Sequence, residues 1–236
     1  MTPTLRSFLR GATDAAPFLV VIVPFAMVFG VLATDARLSL FEIMAFSVAV
    51  FAGASQFAAL KLLQDNAPVL VILATALAVN LRMMMYSVAI SPHFGAAPLK
   101  IRAIMAYFLV DQSFALSVAQ FDKRPALTLP EKIAYFFGVV APIVPTWMAS
   151  TVAGAMMGKA IPPEFALDFA MPITFLAMTA PMIRTAAHGV AAVVSVGLVL
   201  ALGWMPYGTG LLVAGAVGTA VGALVEVWTE KRGGAA

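Results

Sequence analysis

Residues 17–33 read PFLVVIVPFAMVFGVLA. No charge interrupts the run. At ~1.5 Å per residue a helix of this length covers most of a ~30 Å hydrocarbon core. Backbone N–H and C=O groups in lipid must be satisfied inside their own segment, so such a run is read as a helix. Arg6 and Arg10 precede it as in a secretory leader. The run is longer than the apolar part of an ordinary leader, so it is read as a retained first span.

The rest of the chain follows this pattern. Of 236 residues, 62% are hydrophobic and only 11% are charged, and the mean hydropathy is +1.00. A soluble domain carries roughly 25% charged residues. The 14 basic and 11 acidic side chains are too few to wet the surface of a 24.7 kDa globule. A net charge of +3, scattered along the chain, gives no nucleic-acid footprint and reads instead as an orientation signal at loop ends.

The apolar runs predict an all-α, polytopic membrane protein, a single transmembrane transporter domain over 1–236. Eight spans are expected near 14–34, 40–63, 67–90, 102–121, 131–158, 165–184, 186–203 and 206–228. Seven is the alternative, with one of the pair 165–184 and 186–203 re-entrant. With eight spans and a cytoplasmic N-terminus, Arg6, Arg10, Lys61, Lys123, Arg124, Lys132, Arg184, Lys231 and Arg232 lie inside. Arg37, Lys100, Arg102 and Lys159 lie outside. The bias favours that orientation, with Lys100 and Arg102 against it.

Pro17, Pro24 and Gly30 fall in the first span, Pro142, Pro145, Gly154 and Gly158 in the fifth, and Pro172 and Pro181 in the sixth. Proline removes an intrahelical donor, so these spans are expected to be kinked or broken. A shift of 128 residues places Pro17 on Pro145 and Gly30 on Gly158, a weak sign of a two-fold internal repeat that would pair the first and fifth spans.

Polar groups within spans are costly and are functional candidates by default. Three clusters qualify. Gly53-Ala54-Ser55-Gln56 sets donors and acceptors beside a small surface in the second span. Asn80-Leu81-Arg82, with Tyr86 and Ser87, lies in the third. Arg82 and Tyr86, four apart, share a helix face. Asp111-Gln112-Ser113 lies in the fourth. Asp111 is the acidic residue nearest a span centre, and the natural partner for Arg82, a substrate ammonium or a transported proton. A structural Arg82–Asp111 bridge is the simpler reading.

Other groups rank lower. The 14 methionines, Met83, Met84 and Met85 among them, suit packing. Trp147, Trp204, Tyr207 and Trp228 suit interfacial belts. His93 reads as a loop residue, and Lys61–Asp65 as a solvated pair. Without cysteine, and with His93 and His188 far apart, thiolate and histidine metal spacings are missing. No cofactor is expected. No phosphate-binding Gly-x-x-x-x-Gly-Lys-Ser/Thr loop occurs, and no catalytic constellation is found, so an enzyme is not expected. A non-transporting membrane scaffold is the competing function. Small-residue spacing at Gly210, Gly215, Gly218 and Gly222 suits helix packing.

The three clusters, in this order, resemble the AzlC family, the larger subunits of bacterial branched-chain amino acid exporters. The resemblance rests on Gly53-Ala54-Ser55-Gln56-Phe57, on Asn80-Leu81-Arg82 with Tyr86, and on Asp111-Gln112-Ser113-Phe114. Met83 and Gln112 depart from the His and Glu often found in that family. The resemblance implies export of small apolar amino acids across the bacterial inner membrane and a small AzlD-like membrane partner; the Gln112 departure removes a carboxylate and counts against proton coupling there, for which Asp111 is the titratable candidate. The resemblance leaves room for a homo-oligomer. In the resulting scheme Arg82 meets the substrate carboxylate and Asp111 its ammonium. Ser55, Gln56, Asn80, Tyr86 and Gln112 complete the hydrogen bonds, and Phe57, Met84 and Phe114 line the apolar part.

Overall fold

The first span is longer than the apolar run at its heart. In the computed structural model, which describes residues 2–158, 183, 185–205 and 209–233, helix α1 runs Pro3–Asp35. The Thr2 hydroxyl accepts the Leu5 N–H at its start. α1 passes unbroken through Pro17 and Pro24. Helix α7, Leu129–Gly158, does the same through Pro142 and Pro145. Breaks in the fold occur elsewhere. Pro172, Pro181 and the predicted span 165–184 lie outside the described residues.

All nine helices among the described residues are accounted for by this pair and seven more: α2 (Leu40–Ala49), α3 (Gly53–Gln64), α4 (Val69–Phe94), α5 (Leu99–Tyr107), α6 (Asp111–Lys123), α8 (Ala186–Ala201) and α9 (Thr209–Gly233). No strand occurs among those residues. α1, α4, α7 and Thr209–Thr229 of α9 are long and apolar enough to cross a membrane. The chain divides into two compact units, Met1–Phe57 with Val79–Phe165 and Ala58–Ala78 with Ala166–Ala236.

α1 and α7 form the spine of the first unit. Glycine brings their backbones together, because a methyl at Gly11 would collide with the Tyr135 carbonyl and one at Gly138 with that of Phe8. Further along, Gly30 meets the Thr151 carbonyl and Gly154 that of Met27. At each crossing the glycine of one helix faces the carbonyl three residues before the glycine of the other. Phe8 lies level with Gly138 and Val31 with Gly158, so the helices are parallel. Lipid supplies no hydrophobic drive between helices, and close packing of small residues takes its place.

The predicted second and fourth spans are not single helices. α2 ends at its cap Val50, and α3 starts at Gly53. Gln56 donates its amide to the Ser47 hydroxyl at 3.1 Å. In one continuous helix those residues would stand about 13 Å apart along the axis. The chain therefore reverses, and α2–α3 is a helical hairpin.

α5 and α6 repeat the device. Asp111, at the start of α6, lies against Arg82 in the middle of α4. Further down, Phe121 of α6 lies against His93 and Phe94, at the end of α4. α6 thus descends parallel to α4. α5, which starts just after α4 ends, climbs to the level from which α6 returns. No proline or glycine marks this break at Phe108-Leu109-Val110. Ser113 stabilises it: its buried hydroxyl accepts the Val110 N–H at 2.9 Å and faces the Phe108 carbonyl at 2.9 Å.

The two hairpin tips meet. The Tyr107 hydroxyl donates to the Val48 carbonyl at 2.6 Å, and Phe51 packs on Tyr107, Phe108 and Trp147. At one end of the unit gather the starts of α1, α5 and α7 and the ends of α4 and α6. Phe94 packs on Phe136, Phe121 on Tyr135, and Lys132 Nζ lies 3.3 Å from His93 Nδ1. His93 is therefore in the last turn of α4, not in a loop.

In the second unit α8 and α9 pack antiparallel. Gly218 lies on Ser195 and Gly222 on Ala191, while Ser195 donates to the Ala214 carbonyl at 3.3 Å. The small-residue reading of that segment holds for Gly218 and Gly222, whereas Gly215 has nothing within 4 Å of an added methyl and Gly210 meets Leu202 just after α8. Lys61 and Asp65 form the exposed pair expected of them, at 2.7 Å.

Candidate functional site

Arg82 sits twelve residues before the end of α4, roughly 18 Å along the axis. That depth puts it at the break between α5 and α6. Its Nη2 lies 3.1 Å from Asp111 Oδ2, and both side chains are 25% exposed. Tyr86, one turn further along α4, donates its hydroxyl to the other carboxylate oxygen, Oδ1, at 2.9 Å. Asp111 thus holds a cation on one oxygen and a phenol on the other. The Tyr86 ring stacks on Phe114, with centroids 4.3 Å apart and planes at 8°, which fixes the hydroxyl. Both contacts on α6 come from its first turn, where the helix dipole favours a carboxylate.

The arrangement is incomplete in an informative way. Arg82 Nε is buried and has no hydrogen-bond partner among the described residues, and the same is true of Asn80 Oδ1. One is a donor and the other an acceptor, both close to the ion pair in sequence. Buried polar atoms are ordinarily satisfied.

The first cluster takes a different place. Ser55 and Gln56 are fully buried in the first turn of α3. Gln56 is held by Ser47, and its Oε1 lacks a partner among the described residues. A side chain at Gly53 would run into Phe25 and Trp147, at 2.5 and 2.8 Å, so glycine there lets the hairpin tip seat on α1 and α7. Gln112 is half-buried at the start of α6.

The structure corrects two readings of apolar residues. Met84 is 62% exposed. It lies two positions after Arg82, roughly 200° around the helix, so it faces away from Asp111. Phe57 is buried among Phe25 and Phe29. Trp147 is not interfacial but 8% exposed, set between Phe25 and Phe51, while Trp204 and Trp228 are exposed. Tyr207 lies outside the described residues. Sequence reasoning missed Ser47, Tyr107 and Trp147 as tip residues. It named Ser113 without its role; a serine at the third position of a helix is the available signal.

Apolar helices around a part-buried ion pair define a helical membrane protein with a charged centre. No solved structure matches the chain. The AzlC protein family model matches residues 17–161, which is more than half of the sequence and takes in all three polar clusters. The chain belongs to the AzlC family. It is similar to the inner membrane protein YgaZ of Escherichia coli, at 26% identity over 180 residues, 74% of this chain and 72% of the relative. It is also similar to an uncharacterized membrane protein of Archaeoglobus fulgidus, at 29% identity over 183 residues, 75% and 76% of the two chains.

Proposed function

We propose that this protein is a secondary transporter of the inner membrane that exports small apolar amino acids of the branched-chain class. The observation that carries the reading is the Arg82–Asp111–Tyr86 set at the helix break, with an unused donor on Arg82 and an unused acceptor on Asn80 beside it. A zwitterion crossing lipid needs a cation for its carboxylate and an acceptor for its ammonium. Arg82 Nε and its guanidinium supply the first. Asp111, helped by Asn80, supplies the second. While empty, the two charges neutralise each other, which keeps either from being stranded in a low-dielectric site. Gln112 serves the same site from the start of α6, Ser55 and Gln56 hold the neighbouring α2–α3 tip, and a proton on Asp111 couples export to the pH gradient.

The membrane arrangement in this reading has α1, α4, α7 and α9 crossing among the described residues, with the hairpins re-entrant from opposite sides, rather than seven or eight simple spans. Broken backbone at that depth is tolerated where protein buries it. The N-terminus is cytoplasmic. This placement moves Lys100 and Arg102 to the same end as Arg6, Arg10, Lys123, Arg124 and Lys132, with Arg37 and Lys61 opposite. The two charges that ran against the orientation now favour it. The parallel α1 and α7 support an internal repeat. A small AzlD-like subunit and self-association complete the proposal, and both are tested by co-purification from membranes.

The decisive experiment is efflux from proteoliposomes loaded with labelled valine, leucine or isoleucine, with and without a pH gradient. Wild type is expected to export them faster with the gradient. Arg82→Ala and Asp111→Asn, inserted normally, are expected to fall at least about tenfold, a loss of ~1.4 kcal/mol. Wild-type rates in both variants refute the site, and efflux of none by wild type refutes the function.

A further inference from the structure

Between the lower half of α4 and the climbing arm α5 lies a cavity of about 280 Å³. Its walls are Ile90, Phe94, Met105, Leu109 and Phe136, all buried. Leu109, at the hairpin tip, closes it at the level of the ion pair. Ser87, Ser91, Leu99, Arg102, Ala103 and Ala106 are exposed, so the cavity is a groove open along one side between α4 and α5 and down to the end where α1 and α7 begin. Polar groups are sparse: Ser87 and Ser91, one turn apart on α4, and Arg102 at the rim.

The geometry points to a loading site, in which an apolar amino acid sets its aliphatic side chain among these walls and its carboxylate on Arg102 before it reaches Arg82 and Asp111. The inference rests on the transport reading and adds to it a second, outer site that sets side-chain size. Small-molecule pockets run from about 300 to 1,000 Å³, so this one takes a single small ligand and not a peptide. Its lining is apolar with few placed polar groups, the usual recipe for recognising a small aliphatic ligand: Arg102 is set for the carboxylate, and the Ser87 and Ser91 hydroxyls can accept from the ammonium. Ser87 adjoins Tyr86, and Leu109 is two residues from Asp111, so a ligand leaving the cavity inward meets the ion pair next. Arg102, on the first turn of α5, stands apart from the pair.

Two variants separate the parts of the claim. Ala106 lines the cavity, and Ala106→Phe fills it. This variant is expected to raise KM for leucine and isoleucine about tenfold or more while alanine, if carried, changes little. Arg102→Gln is expected to raise KM for all of them, with kcat less affected, because loading and not the inner step is weakened. Equilibrium binding of labelled leucine to detergent-purified full-length protein gives a readout independent of transport, and Ala106→Phe is expected to weaken it by the same factor. If wild type exports these amino acids but both variants keep its KM and its preference, the loading site is refuted and the transporter stands. If wild type exports nothing, the transporter reading fails, and leucine binding then decides the cavity. Binding lost in Ala106→Phe upholds the site. Binding unchanged, or a co-purified lipid chain held there in its place, overturns it.

Discussion

The spine of α1 and α7 makes a quantitative prediction. Replacing Gly154 by alanine puts a methyl 2.7 Å from the carbonyl carbon of Met27, with the carbonyl oxygen nearer still. Carbon atoms prefer ~3.5–4.0 Å, so the helices must part by about 1 Å at that crossing. Overpacking of this kind costs about 1–3 kcal/mol. Gly11→Ala makes the same collision with Tyr135 at the other crossing. The two glycines are roughly 25 Å apart along the spine, so their effects add, to about 2–6 kcal/mol for the double variant. Gly197 is the control: it lies inside α8 with nothing within 4 Å of an added methyl. Alanine there relieves glycine's helix penalty and gains up to about 1 kcal/mol. The assay is SDS titration of protein in mild detergent, followed by circular dichroism. Gly154→Ala and Gly11→Ala should each unfold earlier than wild type, and Gly197→Ala no earlier. If Gly154→Ala proves as stable as Gly197→Ala, the backbone contact between α1 and α7 is wrong.

Three further outcomes follow from the charged centre and the tips. Arg82→Met leaves Asp111 with Tyr86 alone and should destabilise by about 2–3 kcal/mol, below the full cost of an orphaned buried charge because the pair is a quarter exposed; adding Asp111→Leu should recover most of the loss in the same titration, and a double variant no better than the single contradicts the pairing. Tyr86→Phe keeps the stack on Phe114 and deletes one hydrogen bond to a carboxylate, so a loss of about 1–2 kcal/mol is expected with native circular dichroism; no loss would place the phenol elsewhere. Ser113→Ala strips the cap from Val110 and Phe108, at about 1–3 kcal/mol, and should speed amide exchange at residues 108–113; unchanged exchange there argues against the capped break.

The long helices were legible in the sequence. The predicted spans 131–158, 67–90 and 186–203 fall within a few residues of α7, α4 and α8, because uninterrupted apolar length is what lipid demands of a helix. The polar clusters were legible for the converse reason: Arg82 and Asp111 stand out where charge is expensive, and the structure joins them. The reversal at each hairpin was not. Hydropathy records that 40–63 and 102–121 are apolar, and nothing in it records direction. Proline and glycine misled, since Pro17, Pro24, Pro142 and Pro145 lie in unbroken helices while Phe108-Leu109-Val110 breaks with neither residue. What decides the break is the local Ser113 hydroxyl together with the seat between Phe51 and Tyr107, a contact between residues far apart in the chain. Trp147 was misplaced for the same reason.

The tip of α2–α3 rests on Trp147, a residue made almost a hundred positions after it. A hairpin arm of α2's length covers only about 15 Å and cannot stand in lipid with its open turn exposed. During synthesis the first hairpin must therefore wait, unseated, until α7 arrives beside α1. A chain cut short before α7 would leave the tips with each other but without the Trp147 side of their seat, which is the kind of defect membrane proteases find. The late helix is thus a checkpoint in the protein's assembly as well as half of its spine.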